Sequence, residues 1–264
     1  MIEEARPKEM QYHQQMSEWY QSMLGRKLLD VESSLLENML SRRFGYHLLE
    51  LGCANLNMFQ SSPIGHKFSF APANGDHSHG AYASPEAIPL ASESIDLVLL
   101  HHALDFSANQ HQLLREACRI LIAGGHIIII GFNPLSTWGL RNRLHWKNAV
   151  PWRSDMLGTM RLTDWLKLLD FQIEKIQYGA YFLPFNSPGL IRYSSALESI
   201  ATRLNWPTGC IYIISARKQV LPLTPIQSSW KKFPAAVGIP AAENISGVSQ
   251  RQGKDGRSRL CDKQ

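Results

Sequence analysis

Ile88-Pro89-Leu90-Ala91-Ser92-Glu93-Ser94-Ile95-Asp96-Leu97-Val98-Leu99-Leu100-His101 is the stretch that decides the fold. A proline-containing loop runs into Ile95 and the unbroken apolar series Leu97 to Leu100, the pattern of a strand buried on both faces. Beyond it, Asn109 to Leu121 places Leu113, Leu114, Ala117 and Leu121 on one side of a helix. Gly124-Gly125 is read as the end of that segment, turning the chain into a second strand, His126 to Gly131. Upstream, Tyr46 to Leu51 reads as an earlier strand that ends in Glu50, Leu51 and Gly52. Strands alternating with helices predict an α/β fold, a doubly wound parallel sheet with ligands at the carboxyl ends of its strands.

Working outward, Met10, His13, Met16, Trp19, Tyr20 and Met23 recur at helical spacing over Glu9 to Met23, and Gly25 interrupts the pattern. A second helix is expected over about Arg26 to Ser41. These helices form an N-terminal extension, residues 1–44, that packs over the sheet. His66 to Phe70 is a short second strand. On the far side, Leu162 to Leu169 reads as a helix, with strands at Phe171 to Tyr178 and Cys210 to Ala216. The main domain therefore runs over 45–218, with an aromatic insert at 179–207 expected on the substrate side. Residues 219–264 contain Pro222, Pro225, Pro234 and Pro240 in polar sequence, the composition of a disordered tail.

The 264-residue chain carries a net charge of +5. From Gln227 onward there are seven basic and three acidic residues, so most of the excess sits in the tail. A nearly neutral body gives little support to nucleic-acid binding outside that tail. The four cysteines, Cys53, Cys118, Cys210 and Cys261, share no metal-like spacing, and no metal is expected. His77-Ser78-His79 beside Asp76 lacks a third strong ligand at suitable spacing and reads as a polar loop. No apolar run approaches the roughly 20 residues of a membrane span, and no secretory signal is evident, so the cytoplasm is the expected location.

The loop at 83–90, the Ser94-Ile95-Asp96 strand entry, the helix Leu113-Leu114-Arg115-Glu116-Ala117-Cys118-Arg119-Ile120-Leu121 and Gly124-Gly125-His126 together resemble the class I S-adenosylmethionine (SAM)-dependent methyltransferases. That resemblance implies a Rossmann-like, mostly parallel seven-stranded sheet whose last two strands pair antiparallel, and SAM as cofactor. It places the cofactor's amino-acid end over Glu50-Leu51-Gly52-Cys53-Ala54-Asn55-Leu56. There the acid and first glycine of the family's turn are kept, while Ala54 and Leu56 replace the second and third glycines. It expects a ribose-binding acid about twenty residues after Glu50, where the chain instead reads Phe68-Ser69-Phe70-Ala71. Ser84, Pro85 and Glu86 fall at the adenine loop, and His101 beside the cofactor.

His102, at a strand's carboxyl end, is the candidate general base, since an imidazole titrates near neutral pH. Asn133, in Asn133-Pro134 after the fifth strand, faces the same end and is a second catalytic candidate, with a turn as the competing reading. Trp138 and Arg141 follow as candidate substrate contacts. Trp146, Trp152, Tyr181, Phe182, Phe185 and Tyr193 are candidates for an apolar pocket. The leading expectation is an enzyme that methylates a small or apolar acceptor. Its competitors are a methyltransferase-like scaffold that has lost catalysis, and a nucleic-acid-associated enzyme tethered by the basic tail. The acceptor and the oligomeric state are not legible in the sequence.

Overall fold

In the computed structural model the described residues are 5–54, 56–71, 81–82, 87–144, 154–183, 201 and 204–219. All of them lie in a unit spanning Met1–Leu221; a second unit, Pro222–Gln264, lies outside them, and with it the tail. Two helices open the chain, α1 (Ala5–Tyr20) and α2 (Met23–Leu40). They lead into β1 (His47–Gly52), β2 (His66–Ala71), β3 (Ala81–Tyr82), β4 (Ile95–His101), α3 (Ala103–Phe106) and α4 (Gln110–Ile120). The second half carries β5 (Leu121–Phe132), α5 (Thr137–Arg143), α6 (Thr159–Leu168), β6 (Phe171–Gly179) and β7 (Ile211–Lys218).

The strands form a seven-stranded sheet in the order β3-β2-β1-β4-β5-β7-β6. β1 to β5 are parallel, and β7 inserts antiparallel between β5 and β6. Strand order reverses between β1 and β4, so a crevice opens at their carboxyl ends, where Gly52 faces His101. Leu48, Leu97, Leu99, Ile128 and Ile130 turn to one face, beneath Met16, Tyr20, Leu28 and Leu36 of α1 and α2. Leu49, Val98, Leu100, Ile127 and Ile129 turn to the other, against Leu113 and Ala117 of α4 and Leu162 and Leu166 of α6. With both faces covered, the central strands must be apolar throughout, which is what made β4 legible.

The loop before β4 is tied down by charge. Arg119 donates to the Ile88 and Leu90 carbonyls at 2.9 Å each and pairs with Glu116, whose Oε2 accepts from the Ile88 N–H. Asp96 Oδ2 accepts from the Tyr46 and His47 N–H groups and fixes the start of β1 against β4. Glu116 and Arg119 of the helix thus hold the loop, and Asp96 of the strand entry holds β1.

Two local readings need correction. Gly124-Gly125 does not end the helical segment: α4 stops at Ile120 and passes directly into β5, and the pair lies inside that strand, with Gly124 at φ +79° and an irregular register opposite Ile95 to Leu97. Nor does Gly25 interrupt a helix. The break is at Gln21-Ser22, Ser22 caps α2 by accepting from the Gly25 N–H, and Gly25 lies within α2. A Cβ on Gly25 would stand 2.3 Å from the Trp19 carbonyl oxygen and 2.6 Å from the Tyr20 Cα. Glycine is there because two backbones touch.

Gly25→Ala should therefore lower stability by about 1–3 kcal/mol, the usual cost of overpacking, despite alanine's better helix propensity. Urea unfolding measures this; a more stable variant would show that α1 and α2 are not in such close approach.

Candidate functional site

The site forms where β1 and β4 end. Successive residues of a strand normally point to opposite faces, but His102 follows His101 with φ 52° and ψ 14°, a left-handed conformation that is strained for a residue with a Cβ. Both imidazoles consequently reach the same carboxylate, that of Glu32 on α2. His101 Nε2 lies 3.0 Å from Glu32 Oε2 and His102 Nε2 lies 2.8 Å from Oε1. The other nitrogen of His102, Nδ1, lies 2.9 Å from Asp105 Oδ2, which also accepts from the Phe132 N–H. Tyr20 donates its hydroxyl to Glu32 at 3.4 Å. Glu32, His101 and His102 are each 0% exposed.

Charges buried this deeply survive only by pairing. Burial opposes the charge on Glu32, yet His102 and the hydrogen bonds from both histidines outweigh it and hold the carboxyl well below the usual range. His102 is likewise opposed by burial, but Glu32 and Asp105 raise it above the ordinary histidine range. Burial lowers His101, only partly offset by Glu32, and leaves it neutral. Burial raises Asp105, partly offset by His102. The arrangement is an imidazolium held between the carboxylates of Glu32 and Asp105, with a second, neutral imidazole on Glu32.

Next to this chain is Glu50, 2% exposed. Its Oε2 accepts from the Met58 N–H at 3.0 Å; Oε1 is buried without a partner. A Cβ on Gly52 would stand 3.7 Å from that open oxygen and 2.9 Å from the Ala54 carbonyl, so the oxygen borders the glycine turn. Among the described residues no cation faces Glu50, and burial, countered only by the Met58 N–H, raises its carboxyl to about 7.

The expected site residues take varied places. Glu50, Gly52, Cys53 and His101 converge: the Cys53 N–H donates to the His101 carbonyl at 3.0 Å, and burial pushes the Cys53 thiol up. Ser84, Pro85 and Glu86 lie outside the described residues, as do Trp146, Trp152, Phe185, Tyr193 and Asp76 with its two histidines. His102 has neither nitrogen open to take a proton from a substrate, because each faces a carboxylate. Asn133 works as a clamp. Its Nδ2 donates to the Pro207 and Gly209 carbonyls at 2.8 Å each, and its Oδ1 accepts from the Leu135 N–H. Trp138 is fully buried, stacked near Phe132 and donating to the Phe182 carbonyl. Arg141 lies half-buried on α5.

Sequence reasoning missed Glu32, Asp105 and Tyr20. A signal for Glu32 existed: it stands four residues from Leu28 and four from Leu36, a charge on the buried stripe of α2.

The cofactor expected from the resemblance fits the described residues at one end. Glu50 offers an open acceptor for its ammonium group, and Gly52 keeps the backbone close. At the ribose end, Glu50 aligns with Ser69 and Leu51 with Phe70, so the described part of β2 supplies no acid.

A methyltransferase-domain family model matches residues 70–129. The uncharacterised protein YafS of Escherichia coli K12 is 34% identical over 197 residues, covering 73% of this chain and 77% of that one. A SAM-dependent methyltransferase of Thermotoga maritima superposes with a TM-score of 0.56 at 18% identity, over 76% of this chain and 94% of that chain. One from Mesorhizobium loti does so at 0.50 and 16% identity, over 72% and 99%.

Asn133→Ala should destabilise the fold by about 1–3 kcal/mol by leaving buried carbonyls unpaired, and the loss should appear in urea unfolding without any ligand present. An unchanged midpoint would return Asn133 to the catalytic candidates. The chain belongs to one family with YafS, and its sheet order, together with the methyltransferase-domain match at residues 70–129, gives it the fold of the SAM-dependent methyltransferases.

Proposed function

We propose that this chain binds SAM at the turn after β1 and transfers its methyl group to a small polar acceptor. The observation that carries the reading is Glu50. A buried carboxylate with one oxygen unpaired and no cation nearby among the described residues costs stability, and such a cost is kept where a ligand supplies the missing charge. Glu50 accepts the ammonium of the cofactor's amino-acid end, and Gly52 keeps a side chain out of its path. When bound, SAM supplies an electrophilic methyl on a sulfonium. The chain's task is then to position the acceptor in line and keep water away.

A cavity of about 590 Å³ lies beside the segments that follow β4 and β5, within the size range of small-molecule sites. Ser107, His111, Arg143, Asp155 and Arg161 are among its lining residues. Its volume supports the expected small acceptor. Its lining, in which Arg161 lies with Asp155, Ser107 and His111, favours a polar one over an apolar one. Arg161→Glu should raise KM for such an acceptor while leaving SAM binding intact.

The scaffold reading is favoured by a separate observation. β1 and β2 are joined by residues 53–65 with no helix among the described positions, and Leu56 packs on the core where the family has glycine. Under that reading SAM binds and no acceptor turns over. The nucleic-acid tether rests on the tail, outside the described residues. None of the described helices is long and apolar enough to cross a membrane.

Glu50 also fixes the direction of the pH effects. Its carboxyl titrates near 4.5 when unfolded and about 7 when folded, so its ionisation removes stability as pH rises through that window. Glu50→Gln escapes this cost. Between pH 5 and pH 8 its stability should rise relative to the natural chain by about 2–3 kcal/mol in urea unfolding. Calorimetric titration should find the variant unable to bind SAM, while the natural chain binds more tightly as pH climbs toward 7. A Glu50→Gln protein that is less stable and binds SAM normally would contradict the proposal.

A further inference from the structure

We propose that Glu32, His101 and His102 form a binding site for a divalent first-row transition ion of the zinc class, which fastens α2 to the carboxyl end of β4. This inference does not depend on methyl transfer and would survive the failure of that reading.

One carboxylate and two imidazole donors lie within 4.8 Å of one another. Two imidazoles with a carboxylate select zinc and its neighbours over magnesium or calcium, which prefer all-oxygen sites. The histidine-to-carboxylate separations, 3.0 Å from His101 to Oε2 and 2.8 Å from His102 to Oε1, are close to the spacing of about 3.3 Å along the edge of a tetrahedron with zinc-length bonds.

Two further observations set the cluster apart from an ordinary buried ion pair. The first is backbone strain. His102 has to leave the strand conformation for the left-handed region before its ring can join that of His101 on one carboxylate. An ion pair with Glu32 needs only one histidine. The second is the support behind His102. Asp105 Oδ2 faces its Nδ1 at 2.9 Å and is itself anchored by the Phe132 N–H. A buried carboxylate on the far nitrogen of a histidine is the usual outer-shell partner of a metal ligand, since it fixes the proton on Nδ1 and turns the Nε2 lone pair to the ion. His101 Nδ1 has no partner, so its proton can also sit there and leave Nε2 for the metal.

The same chain contains a control. His47 and His66 approach each other at 2.9 Å between Nδ1 atoms, but both are exposed and belong to the opposite, amino ends of β1 and β2. They are the natural place for adventitious metal.

The test uses the full chain, purified without a histidine tag, stripped with chelator and dialysed against zinc or cobalt. Metal content is read by plasma mass spectrometry, and cobalt coordination by visible absorption. The natural chain and His66→Ala should each retain about one equivalent, show the intense bands of tetrahedral cobalt, and melt at a higher temperature with metal than after chelation. Glu32→Gln and His101→Gln should each lose at least ten-fold in affinity. Two variants are used so that the failure of one to fold leaves the other to report. A folded natural chain that retains no metal overturns the proposal. So does metal lost in His66→Ala, or kept with the same cobalt spectrum in a folded Glu32→Gln or His101→Gln.

Discussion

The structure turns on the burial of carboxylates at one end of a parallel sheet. Glu32, Glu50 and Asp105 are all withdrawn from water near the point where β1 and β4 diverge, and each meets this differently. Glu32 is compensated by two histidines, and Asp105 shares one of them. Glu50 has only a backbone N–H on one of its two oxygens. In a low-dielectric interior, that difference separates a group that holds the fold from one that awaits a partner.

The compensated group explains the N-terminal helices. α2 covers one face of the sheet with leucines, but leucines alone do not specify which turn of the helix lies over which strand. Glu32 supplies a fixed point, held by β4 and by Tyr20 at the end of α1. Gly25 lets α2 approach α1 closely enough for Tyr20 to make that contact. At the other end of α2, Arg43 pairs with Glu174 and Ser215, joining the helix to β6 and β7. A segment that reads in sequence as an extension is thereby part of the domain's core and walls one side of the crevice.

Most of the sheet was legible because its central strands are buried on both faces, which forces continuous apolar runs such as Leu97 to Leu100 and Ile127 to Ile130. The acid and glycine at 50 and 52 were legible because they match the turn that the resemblance to methyltransferases places after the first strand. The site's outer members were not. Glu32 is 69 residues from His101, and only tertiary packing brings them together. His102 was read as a base from residue type and its place at a strand's carboxyl end, whereas what a histidine does depends on what faces its two nitrogens. Asn133 and Trp138 stand at the right end of the sheet for function, yet their hydrogen bonds go to the backbone at 182 and 207–209. Position along a strand was readable; the direction in which each polar atom was already committed was not.

The central claim is that the open oxygen of Glu50 receives the cofactor's ammonium group. A crystal structure of the chain with S-adenosylhomocysteine, grown above pH 7 where Glu50 is ionised, tests it most directly. The account predicts the ligand's amine within hydrogen-bonding distance of Glu50 Oε1, with its amino-acid end lying over Gly52. A ligand bound elsewhere, or a well-ordered crystal in which Glu50 stays unpartnered at saturating ligand, would contradict it.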